Sequence, residues 1–171
     1  MKKKIYQLSV MTVIAAVLLT FTLVSCHNGN RANRDWVSEK THEFVNTNWA
    51  FEEEVLDFTF DIEDTTKRYD VVVSLVYDTT IATLLDIPLS LTLSTPDGMK
   101  SFSTSHFLLD RKDNPDIRPT GKGTAAEVNV IVYPERKFKV PGTYTLTVYR
   151  RAEKADNYGF ISLSTKVAEA K

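Results

Sequence analysis

The chain is short of the residues from which most reactive sites are built. It holds one cysteine and three histidines in 171 residues. A single thiol can form neither an internal disulfide nor a thiolate zinc site, and histidines this sparse are poor material for metal chemistry. A basic excess is missing too, since 21 Lys and Arg against 22 Asp and Glu leave a formal charge of −1. Nucleic-acid phosphates are neutralised by clustered cations, so this balance argues against a nucleic-acid partner. No internal repeat, low-complexity tract or long amphipathic helix can be drawn. What remains is 43% hydrophobic and 25% charged residues, enough for one buried core and not the composition of a disordered chain. At about 100–200 residues per domain, the length allows a single folded unit.

The N-terminus carries the most specific chemistry. Lys2, Lys3 and Lys4 precede an apolar run over residues 8–24, broken only by Ser9, Thr12, Thr20 and Thr22. A cationic start followed by such a run is the layout of a secretory signal peptide. The run closes in Leu23, Val24, Ser25 and Cys26. That is the pattern of a bacterial lipoprotein box: a leucine, a small residue that lets the peptidase reach the backbone, and a thiol that takes the diacylglyceryl thioether. An uncleaved anchor of this length is near the minimum needed to span a bilayer, and it gives no reason for the one cysteine to stand at its end. Residues 1–25 are therefore expected to be a cleaved signal peptide, residues 26–34 an acylated polar tether, and residues 35–171 a single domain.

Lipidation at Cys26 also sets the membrane relation. One acyl chain binds marginally at about 0.8 kcal/mol per buried methylene, whereas two or three chains hold stably. The mature protein is then expected to be anchored without spanning, with its formal charge moved to about −4 by loss of the three lysines. His27 follows the cysteine where an inner-membrane retention signal would place aspartate, and no acidic cluster follows it. Both points favour the outer membrane, with the domain facing the periplasm.

Beyond the tether the hydrophobic period is two. Leu56, Phe58, Phe60 and Ile62 alternate with Asp57, Thr59 and Asp61, which predicts a strand with one buried face. Tyr69, Val71, Val73, Leu75 and Tyr77 predict a second, and Ile87, Leu89, Leu91 and Leu93 a third that stops at Thr95, Pro96, Asp97 and Gly98. A less regular strand over residues 99–109 leads into a charged loop with Pro115 and Pro119. Ala126, Val128, Val130 and Val132 predict a fifth strand, ended by Pro134. Tyr144, Leu146 and Val148, opposite Thr143, Thr145, Thr147 and Tyr149, predict a sixth, and residues 158–167 a seventh. Seven short strands at turn spacing predict an all-β antiparallel sandwich, Ig-like or jelly-roll-like, because two sheets can bury their apolar faces on each other. Residues 36–54 carry no decisive period.

Constellations that carry chemistry are sparse. His42 and His106 stand far apart with no companion ligand, and no serine sits in a Gly-x-Ser-x-Gly elbow. Asp110, Asp113, Asn114 and Asp116 offer oxygen ligands, but Arg111 and Lys112 stand among them, and the glycine and closing glutamate of a calcium loop are missing. Glu52, Glu53 and Glu54 would alternate faces along a strand and so make no facing acid pair. No catalytic residue, metal or cofactor is expected, and nothing points to a small-molecule ligand. Charge is uneven along the chain: residues 35–64 hold ten acids against Lys40 alone, while residues 100–154 hold eleven bases against six acids. Separate patches of this kind set a polarity for docking a protein partner. Trp36 and Trp49 are candidate contacts for a glycan or a partner, although tryptophan in a sandwich more often packs inside.

Taken as a series, these motifs resemble the GldH family of gliding motility lipoproteins from Bacteroidota. The likeness starts at Phe44 and Trp49 and runs through residues 56–62 with Asp64 and Tyr69. It resumes at residues 89–93 with Pro96, Asp97 and Gly98, then Gly121, Lys122 and Gly123, then Phe138 with Gly142, Thr143 and Tyr144. It closes with Arg151 and residues 159–163. The chain departs from the family at residues 77–86, where relatives carry a Tyr-Pro-Tyr-x-Asn-Leu-like stretch. The resemblance implies a non-enzymatic lipoprotein of the cell envelope, an interaction component of machinery related to gliding and type IX secretion, with envelope proteins as partners. A glycan-binding outer-membrane lipoprotein is the alternative.

Overall fold

Strict alternation of apolar and polar residues becomes paired strand wherever the chain carries it. The computed structural model describes residues 34–50, 55–82, 84–110, 114, 116–151 and 157–171. Cys26 and the glutamates at 52–54 lie outside the described residues. Among the described residues the strands are β1 (Trp36–Glu43), β2 (Asn48–Trp49), β3 (Val55–Ile62), β4 (Arg68–Asp78), β5 (Asp86–Ser94), β6 (Lys100–Leu108), β7 (Arg118–Pro119), β8 (Ala125–Lys137), β9 (Gly142–Arg150), β10 (Asn157–Tyr158) and β11 (Phe160–Glu169). One sheet runs β1-β11-β4-β8-β7, a second runs β3-β9-β5-β6, and β10 pairs with β2 apart from both. All these pairings are antiparallel. The all-β antiparallel sandwich read from the periodicity is the fold observed.

The core is the meeting of two inner faces. Leu56, Phe58, Phe60 and Ile62 of β3, Leu146 and Val148 of β9, and Ile87, Leu89, Leu91 and Leu93 of β5 are buried from one sheet. Val71, Val73 and Leu75 of β4, Val128 of β8, and Leu163 and Val167 of β11 are buried from the other. Each such side chain contributes roughly 1.5–3 kcal/mol when fully buried. Aromatic rings fill one end, where Phe138 packs 4.6 Å from Tyr144 and 5.8 Å from Tyr69. The Tyr144 hydroxyl closes that end by donating to the Val140 carbonyl at 2.6 Å.

Two places differ from the periodicity. Residues 36–43 form a full strand, β1, registered against β11 from Trp36 opposite Ala168 to Glu43 opposite Ser162. As an edge strand exposed along most of its length, it needs no apolar stripe. Pro134 does not end β8, which continues to Lys137. Pairing of β8 with β7 is confined to Glu127 and Ala126, so Pro134 lies on an open side where its missing N–H costs no ladder bond. The register slips near there, Glu135 takes φ 46°, and the buried Asp70 carboxylate accepts the Glu135 N–H at 2.8 Å.

A glycine sets one crossing of the chain. Gly159 has φ 88°, and a Cβ placed on it would stand 2.5 Å from the Ala82 nitrogen. Its N–H donates to the Thr47 carbonyl at 2.8 Å, and its carbonyl accepts from the Asp78 N–H at 2.7 Å. Three segments are thus pinned on one residue that only glycine fits.

Candidate binding face and the expected site residues

The two tryptophans occupy different environments. Trp49 has no exposed surface. Phe44 stacks on it at 5.0 Å, Phe160 meets it edge-on at 6.3 Å, and the Arg150 guanidinium lies 5.6 Å from its centroid. A ring enclosed in this way offers no face to a glycan or a partner, so the expectation for Trp49 is corrected to core packing. Trp36 is half-buried at the start of β1, with the Lys166 ammonium 5.6 Å from its ring. Lys166 also pairs with Glu127 at 2.7 Å and Glu39 at 3.4 Å. The structure does not bring the tryptophans together, since Trp36 lies opposite Ala168 at the end of β11 while Trp49 pairs with Asn157 of β10, just ahead of its start.

Charge gathers where β1 approaches β3. A groove of about 460 Å³ there is lined by Lys40, Asp61, Glu63, Asp64, Lys67 and Glu169 among others. Lys67 bonds Glu169, and its ammonium is 3.9 Å from Asp64. The Thr66 hydroxyl and backbone N–H both donate to Asp64 and hold its carboxyl below the ordinary range. Lys67 is held above its ordinary value, first by the hydrogen bond to Glu169. All three side chains are nearly half exposed, so these are solvent-screened surface pairs. Among the described residues no group of His, Cys, Asp and Glu could hold a metal ion.

The feature the sequence did not single out is the outer face of the β3-β9-β5-β6 sheet. Phe102 on β6 is 77% exposed and Tyr149 on β9 is 39% exposed. Register places them in adjacent rows. Phe102 lies opposite Thr92, which lies opposite Thr147 and then Asp57. Thr104 lies opposite Ser90, which lies opposite Tyr149. A shallow groove of about 430 Å³ runs between the rings, lined by Ser90, Thr92, Thr104 and the two aromatics, without a charged side chain. The nearest carboxylate in these rows, Asp57, is engaged by the Thr147 hydroxyl at 2.6 Å. Parity was the available signal: Phe102 and the buried Phe107 are five positions apart on one strand and so must face opposite ways.

Fold and surfaces together define an all-β sandwich with one hydroxyl-rich sheet face open to solvent. The chain belongs to the GldH lipoprotein family, whose match covers residues 36–161, from the first residue of β1 into β11. This family is one of gliding-motility-associated lipoproteins of the cell envelope and is not a known enzyme family. No curated relative matches the chain. Among solved structures it is similar to dimeric latent PorU from Porphyromonas gingivalis, at 13% identity and TM-score 0.35, over 84% of this chain and 14% of that one. It is also similar to a family GH115 4-O-methyl-α-glucuronidase with specificity for decorated arabinogalactans, at 10% identity and TM-score 0.36, over 81% of this chain and 18% of that one. A third, the uncharacterized protein lmo2446 from Listeria monocytogenes, aligns at 16% identity and TM-score 0.29, over 67% of this chain and 8% of that one. The chain thus spans less than a fifth of each of these proteins.

Proposed function

We propose that this chain is a non-catalytic docking lipoprotein, acylated at Cys26 and held on the periplasmic side of the outer membrane, where it serves gliding or type IX secretion machinery by binding other envelope proteins. The observation that carries this role is the family match across the sandwich, joined to the lipoprotein box that ends in Cys26. Two or three acyl chains would hold the protein stably, leaving the sandwich free to engage partners.

Two measurements test the two halves of the proposal. Palmitate labelling should mark the wild-type chain, and Cys26→Ala should abolish the label and leave an unprocessed precursor. Continued labelling of that variant would overturn the anchor. A tagged pull-down of the acylated protein from native membranes, read by mass spectrometry, should return gliding or secretion components. Repeated recovery of the protein alone would remove the docking role while leaving the anchor intact.

A further inference from the structure

We propose that the outer face of the β3-β9-β5-β6 sheet is a binding site for a neutral saccharide, with Phe102 and Tyr149 as stacking rings and Ser90 and Thr104 as hydrogen-bonding partners, the buried Thr92 forming part of the groove floor. This role stands apart from the docking role above and survives its failure. One exposed ring is ordinary on a protein surface. Two on the same sheet face, flanking one groove, are a different matter. Neighbouring strands lie about 4.8 Å apart, so Phe102 and Tyr149, with β5 between them, stand about 10 Å apart across the sheet and one row apart along it. That leaves room for a sugar ring over Ser90, beside the buried Thr92, the side chains of β5 between the two aromatics.

The lining selects the ligand class. Each Ser or Thr hydroxyl offers one donor and two acceptors, which matches a ligand made of hydroxyls. Sugars also present an apolar C–H face to an aromatic ring, the two-sided character that Phe102 and Tyr149 beside the Ser90 and Thr104 hydroxyls would meet. A protein partner's anchor would be expected to rest in a wider apolar patch, whereas here hydroxyls separate the rings. A charged ligand finds no counter-charge in the groove, and Asp57 already accepts from Thr147. The strands under the groove also pair without a register shift, β5 with both β6 and β9, so the rows are held in place before any ligand arrives.

The test uses the full acylated chain, in a detergent that has no sugar headgroup, on an array of neutral and acidic glycans. Binding to at least one class of neutral glycan is expected. Phe102→Ala and Tyr149→Ala should each weaken it by roughly tenfold or more, with unchanged circular dichroism and thermal midpoint, and Phe102→Trp should retain it. A blank array with folded wild-type protein overturns the proposal, as does binding confined to acidic glycans or binding that neither alanine variant weakens. A blank array together with an envelope protein that co-purifies with wild type and is lost with Phe102→Ala would give this face to a protein partner instead.

Discussion

Gly159 stands in a left-handed conformation with its missing Cβ directed at the Ala82 backbone, 2.5 Å from the nitrogen. Backbone cannot swing aside as a long side chain can, so Gly159→Ala meets both a conformational penalty and an overpacked contact. Together these should cost about 3 kcal/mol, read as a lower midpoint in urea denaturation. A midpoint equal to that of wild type would show that the crossing relaxes freely. Titration acts on other single residues. The Thr80 hydroxyl and N–H and the Thr124 hydroxyl hold the Asp78 carboxyl below 3.8, as Thr66 does for Asp64. A depressed folded pKa stabilises above the unfolded value, and that contribution is lost as pH falls through the folded one. Lys67 has the opposite sign: its raised pKa stabilises below 10.5 and is lost as pH rises past the folded value. The double variant Asp64→Asn, Asp78→Asn should therefore flatten the fall of thermal midpoint below about pH 4. An acid limb as steep as in wild type would show that other carboxylates carry it.

Elements differ in how far they can be read before folding, and the reason is burial on one face. β3 alternates exposed and buried residues without a break, so its period was plain. β1 has no such stripe, because an edge strand only partly buried on one face, at Trp36, Ser38 and His42, leaves composition free. β6 shows a less regular period for a different reason: serines stand on the inner side and Phe102 outside. At the tryptophans residue type suggests a platform, whereas Trp49 is core. The motifs that carry the family likeness have a plain physical content: Gly142 approaches Pro96, where a Cβ would stand 3.2 Å from Cγ, and Gly159 approaches Ala82. They mark where segments cross closely. In β8 the extension past Pro134 depends on Asp70, an acceptor supplied by the neighbouring strand. Asp70→Ala should leave the Glu135 N–H without that acceptor and cost about 1–3 kcal/mol. Loss of amide protection in hydrogen exchange should concentrate at residues 133–137. Uniform loss across the sandwich would instead make Asp70 a general stabiliser.

At the scale of the whole molecule, the β3-β9-β5-β6 sheet has two faces assigned to different work. Its inner side supplies core leucines, while its outer side carries the exposed rings of Phe102 and Tyr149 with Ser and Thr side chains between them. Selection for packing alone would not place the most exposed large ring of the described residues on the outer face of the edge strand β6, where an exposed apolar side chain gains nothing from burial. Stability and binding should therefore separate by face. Leu91, 1% exposed on β5, sits on the core side of the strand that supplies Ser90 and Thr92 to the groove. Leu91→Ala should cost about 2–5 kcal/mol through the cavity it leaves. Phe102→Ala should stay within about 0.5 kcal/mol of wild type, as a surface substitution does, while removing ligand retention. Chemical denaturation of both variants checks this directly. If Phe102→Ala unfolds nearly as easily as Leu91→Ala, the ring is a structural part of the β6 edge, and loss of binding in that variant would report a damaged strand rather than a vacated site.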